Sequence, residues 1–187
     1  MNALIDIMGS TIIGGMIFLL IFKLNLFAHS SLTLSDSELK LQQNAKTLSE
    51  ILNYDLRKVG YKYDSTAITI ADTNRIKFYS DLDKNGTVDQ LEFCVSNPSA
   101  VPNTQNPNDI ILYRIFNGDT LKGPSLGLKR ILFTYLNVFG QTTSITDSIK
   151  YIRAELWIES DYEVENLAGK MEYPFTYWEM TINPRNI

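Results

Sequence analysis

Ile7-Met8-Gly9-Ser10-Thr11-Ile12-Ile13-Gly14-Gly15-Met16-Ile17-Phe18-Leu19-Leu20-Ile21-Phe22 is the stretch whose reading decides the fold. Only Gly9, Ser10, Thr11, Gly14 and Gly15 interrupt its apolar residues, and no polar face is left on any side of a helix. Asp6 stands before it and Lys23 after it. The uncharged run is shorter than the roughly 20 residues a membrane-spanning helix needs. Continuing through Lys23 to Phe27 closes the gap, because a lysine can lay its stem on apolar surface and lift its amine to the headgroups. Residues 1–28 are therefore predicted to form a transmembrane helix. A core helix of a soluble protein is the competing reading. A cleaved signal peptide fits poorly, since there is no basic leader and no small-x-small site after the run. Asp6 can be a solvated carboxylate favouring the helix N-terminus. It can equally enter an apolar environment paired with a positive group on a neighbour.

Outward from this run comes a polar segment, His29 to Glu38. Ser35 with Glu38 three residues on has the pattern of a helix start. Leu41, Ala45, Leu48, Leu52, Leu56 and Val59 then recur at three- and four-residue steps, which places them on one helix face. Gly60 fits the residue that ends a helix. Residues 29–61 are thus predicted to be an amphipathic helix whose apolar face lies on a sheet. From Ala67 the period changes to two. Strands are predicted at Ala67–Ile70, Arg75–Tyr79, Leu91–Val95, Ile110–Phe116, Lys129–Leu136, Tyr151–Glu159 and Tyr177–Ile182, with a Pro- and Asn-rich loop from Ser96 to Asn108. In Tyr151–Glu159 the apolar Ile152, Ala154, Leu156 and Ile158 share one face, and Glu159 falls on the other. One long N-terminal helix, a membrane-spanning half followed by an amphipathic half, and then only strands predicts an α+β fold in which that helix packs on an antiparallel β-rich head of residues 62–187.

The chain has 187 residues, 44% of them hydrophobic, which suffices for one small head beyond the helical region. Its formal net charge is −4 and no basic patch stands out, so nucleic acid is not an expected partner. The lone cysteine, Cys94, rules out an intrachain disulfide.

One motif carries chemistry. Asp81-Leu82-Asp83-Lys84-Asn85-Gly86-Thr87-Val88-Asp89-Gln90-Leu91-Glu92 has the D-x-[DN]-x-[DN]-G-x₅-E spacing of a calcium loop. Asp81, Asp83 and Asn85 would offer side-chain oxygens and Thr87 its carbonyl. Gly86 would make the sharp turn, Asp89 would act through water, and Glu92 would bind with both oxygens. Hard oxygen donors of this kind suit Ca²⁺. The flanking segments read as strands rather than the helices of an EF-hand. The alternative is a hairpin that turns on Asn85-Gly86 with solvated aspartates. Of these residues, Glu92 has the weakest claim, because it must turn back from a strand.

No catalytic set is visible. His29 lies beside the predicted membrane surface, and Cys94 reads as an inert thiol. Glu163 and Glu165 sit in a polar run. Core packing is predicted for most of the aromatics at Tyr173, Phe175, Tyr177 and Trp178, and an exposed aromatic patch for a partner or sugar is the alternative. The chain is expected not to be an enzyme.

The order of these features resembles type IV pilin-like proteins, and most closely minor pilins and pseudopilins of the PilW and GspJ kind. Asn53-Tyr54-Asp55-Leu56-Arg57-Lys58-Val59-Gly60-Tyr61 is similar to their helix end. Asp81 to Phe93 is similar to their Asp- and Gly-rich turn, and Asn183-Pro184-Arg185-Asn186-Ile187 to their closing tail. Family precursors carry a short basic leader, which is not visible here. With Met1 alone removed, Asp6 stands where the family has its early glutamate. The resemblance implies a single-pass protein of the bacterial inner membrane with its head outside the cytoplasm, and a place in a pilus or pseudopilus. It further implies that other pilin-like subunits are partners through the apolar helix, and that Asp6 neutralises a neighbour's N-terminal amine. The alternative is a membrane-anchored, extracytoplasmic ligand-binding domain, calcium-dependent or not, that does not polymerise.

Overall fold

The computed structural model describes residues 2–97, 104–123, 125–165 and 170–187. Residues 98–103 of the predicted Ser96–Asn108 loop lie outside the described residues. The chain divides into two compact units, one ending at Leu39 and one from Lys40 to Ile187.

Helix α1, Asn2–Leu56, contributes to both units as one uninterrupted element. The helix start predicted at Ser35 is therefore corrected. No proline or glycine stands between Lys23 and Leu56 to break the backbone ladder. The polar side chains of the intervening segment instead bond back to the helix itself. Ser30 Oγ donates to the Leu26 carbonyl and Thr33 Oγ1 to the His29 carbonyl, each at 3.0 Å.

In the unit from Lys40 onward, the predicted apolar face is buried. Leu41, Ala45, Leu48, Leu52, Leu56 and Val59 join one core with Ile76, Phe78, Leu91, Phe93, Phe133 and Leu156. Burying a leucine side chain contributes about 1.5–3 kcal/mol, so this stripe is a large part of what docks the later turns of the helix. Among the described residues all strand pairings are antiparallel. A five-stranded meander runs β1 (Ile68–Asp72), β2 (Arg75–Ser80), β3 (Asp89–Val95), β4 (Leu112–Phe116) and β5 (Asp119–Lys122). A second sheet has the order β10 (Phe175–Ile182), β7 (Tyr151–Glu159), β6 (Leu128–Leu136). β8 (Val164–Glu165) and β9 (Met171–Glu172) pair as a two-stranded sheet. The two larger sheets meet at β6, where Phe133 N donates to the Thr73 carbonyl at 2.7 Å and Tyr135 Oη to the Asp72 carbonyl at 2.9 Å.

The structure corrects three further expectations. Gly60 does not end the helix, which stops at Leu56. Gly60 lies within the following turn at φ +77°, and a Cβ there would stand 2.7 Å from the Asn186 carbonyl oxygen. Positive φ and close approach of the C-terminal tail both require glycine at this point. Next, the aromatics of β10 are not core. Phe175 is 66% exposed and Tyr177 44%, because they pair with Glu159 and Trp157 on the face opposite the buried Leu156 and Ile158, and Trp178 on the other face stays 37% exposed on a strand with a neighbour on one side only among the described residues. Finally, Glu159 is buried although it shares a face with outward residues. Asn106 and Asn108 cover it, both donating to its Oε2.

Candidate metal loop and apolar helix

The loop 81–88 joins β2 to β3, closed by the pairing of Ser80 with Asp89. It is longer than a two-residue hairpin turn on Asn85-Gly86. Lys84 and Gly86 adopt φ of +64° and +89°, and these left-handed residues fold the loop inward on itself. Asp81 Oδ2 accepts from Gly86 N at 3.1 Å, and Asp83 Oδ1 from Asn85 N at 3.0 Å. One carboxylate oxygen from each of Asp81, Asp83 and Asp89 falls within 4.8 Å of the other two.

These three are the predicted ligands that the fold brings together. Asn85 turns its Oδ1 to the backbone and hydroxyl of Thr87. Glu92 is carried away along β3 and takes Arg75 Nε at 2.7 Å. Strand alternation explains this divergence, since Asp89 begins β3 at the loop while Glu92 lies deeper in the ladder opposite Lys77.

Two residues outside the motif complete the site. Lys62 Nζ donates to Asp81 Oδ2 at 2.9 Å. Hydrogen bonding to Lys62 is the largest influence on the Asp81 carboxyl and holds it below the usual carboxylate range against the opposing effect of burial. Asn117, the first residue of the Asn117-Gly118 turn between β4 and β5, donates from Nδ2 to Asp89 Oδ1 at 2.8 Å. Asn117 and Gly118 both have positive φ, as a two-residue hairpin turn requires. The Asn-Gly pair was readable as a turn, but its contact with Asp89 depends on β3–β4 pairing.

A second polar cluster had no sequence signal beyond its Asn-rich composition. Burial raises the Glu159 carboxyl, but Lys129, Asn108 and Asn106 more than offset it, so it titrates below its ordinary value. Nearby Asp109 is fully buried, and its Oδ1 accepts no hydrogen bond. Burial pushes its carboxyl up, against the hydroxyls of Thr104 and Ser125. With the folded value raised, this group's contribution to stability is greatest below the usual carboxylate range. It declines as pH rises through the unfolded and then the folded value. Asp109→Asn is therefore expected to raise Tm by a few degrees near neutral pH and to change it little in acid. Paired thermal melts at about pH 8 and about pH 4 check this.

In the other unit, α1 carries one segment long and apolar enough to cross a membrane, and none of its most apolar window is buried. Asp6 and His29 are exposed on this helix. Cys94 is half-buried, and burial raises its thiol.

Fold and site together define an α+β protein with one helix of membrane-spanning length and a preformed acidic loop. No protein-family model, curated protein or solved structure matches the chain.

Proposed function

We propose that this chain is a non-enzymatic pilin-like subunit, a minor pilin or pseudopilin of a type IV pilus or type II secretion system. One observation carries the reading. A single 55-residue helix is apolar and exposed toward its start, while its later turns are buried against antiparallel sheets. A plain membrane anchor needs only about 20 apolar residues and no continuity with a domain's core helix. Continuity couples whatever the apolar segment packs against to the head, which is what an assembling subunit requires. In this reading the protein sits in the bacterial inner membrane with its head outside the cytoplasm. Asp6 offsets the N-terminal amine of an adjacent subunit in a dry helix bundle, where an unpaired charge is costly.

Single cysteines placed from Ile12 to Leu20 test it by crosslinking in native membranes. Crosslinks to the apolar helices of other pilin-like proteins are expected, and Asp6→Ala should reduce them at least several-fold without preventing membrane insertion. Crosslinks to lipid probes alone would replace this reading with that of a membrane-anchored ligand-binding domain.

A further inference from the structure

We infer that the Asp81–Asp89 loop is a calcium site in which the Lys62 ammonium is a resident counter-charge that the ion displaces. The inference rests on the loop alone and stands apart from the assembly reading. Asp81 is 1% exposed, and its Oδ1 accepts no hydrogen bond. A buried carboxylate oxygen left without a donor is costly unless something positive meets it. Its Oδ2 accepts from Gly86 N and Lys62 Nζ, so Oδ1 is the oxygen that lacks a donor and Oδ2 is the one that the ammonium shares with any arriving ion. Calcium holds oxygens at about 2.3–2.6 Å, so one ion touches oxygens up to about 5 Å apart. The three carboxylates, within 4.8 Å of one another, come close to that limit, and a small inward adjustment of the exposed Asp83 brings all three onto one ion.

The remaining contacts fix the ligands rather than compete with the ion. Asp89 takes Leu82 N on Oδ2 at 3.0 Å and Asn117 Nδ2 on Oδ1 at 2.8 Å, and each oxygen keeps a lone pair. Asp83 takes Asn85 N and Nδ2, one on each oxygen. Lys62 differs from these donors because it carries charge. Its side chain is half exposed whereas that of Asp81 is fully buried, so the ammonium can swing into water when a divalent ion arrives. A lysine and a calcium ion sharing one carboxylate repel each other, and the exposed partner is the one that leaves.

Calorimetric titration and thermal melts of the full chain in detergent micelles test the site, with CaCl₂, MgCl₂ and a chelator baseline. Calcium is expected to raise Tm. Lys62→Met should bind calcium about tenfold more tightly, because no resident cation has to be expelled. Asp83→Asn should weaken binding at least tenfold. Asp83 is exposed, so this variant's melt in chelator should match the native one. Absence of a calcium-dependent shift in both the native protein and Lys62→Met overturns the site. Binding that survives unchanged in Asp83→Asn and Asp89→Asn places the ion elsewhere and overturns it too. An equal response to magnesium overturns the calcium assignment, and equal calcium affinity in the native protein and Lys62→Met overturns the displacement.

Discussion

Asp55→Ala is expected to lower the stability of the head by about 3 kcal/mol, the lower end of the range for breaking a buried ion pair. Asp55 lies in the last turn of α1 and is 2% exposed. Its carboxylate receives Arg114 Nε at 2.7 Å and Nη2 at 3.3 Å, so the guanidinium of β4 grips the helix end with two donors. Removing the acid leaves a largely buried guanidinium without its counter-charge. Arg114 keeps some access to water, which is why the lower end of the range applies. Urea unfolding in micelles measures the loss. The double variant Asp55→Ala with Arg114→Met should recover a substantial part of it, because two apolar side chains no longer strand a charge. A loss below about 1 kcal/mol would mean that the pair behaves as a surface salt bridge. In that case the apolar stripe alone holds the helix end.

Gly127→Ala should be at least as damaging. Gly127 has φ +70°, and an added Cβ would stand 2.2 Å from the Glu159 carbonyl oxygen. That atom is backbone, and Glu159 N in turn donates to the Gly127 carbonyl at 2.8 Å, so neither strand can give way alone. The left-handed conformation by itself costs an alanine roughly 1–2 kcal/mol. The clash with β7 adds to this, and a total above about 3 kcal/mol is expected, large against the 5–15 kcal/mol stability of a typical domain. Gly118→Ala is the control. Its φ is +91°, but nothing lies within 4 Å of its Cβ position. It should show the conformational cost alone. Equal losses at both positions would show that β6 and β7 separate freely at this point.

Neither of these two effects is foretold by the sequence. Asp55 was visible only as a charged residue beside the apolar stripe of Leu52 and Leu56. Nothing local says that an arginine 59 positions later reaches it. Gly127 is an ordinary glycine in a row of residues until β6 and β7 are paired. The candidate site divides. Asp81, Asp83 and Asp89 were legible from spacing, because a short loop with glycine at its turn must gather its own aspartates. Glu92 belonged to the same pattern but left the cluster for Arg75, since a strand's register outranks a motif's count. Lys62 and Asn117 were invisible as site residues, lying 19 and 28 positions from the aspartates they touch.

By itself, then, the sequence determined whatever depends on periodicity and composition. These are an apolar segment long enough for a membrane, a helix face of leucines and alanine, the period-two strands and an acidic loop. Such features arise from contacts a few residues apart, and burial of the matching face rewards them directly. Only the tertiary structure decided that β10 is an edge with its aromatics exposed, and which charges pair. Those outcomes turn on long-range register and on competition among partners for the same buried oxygen, which no local pattern encodes.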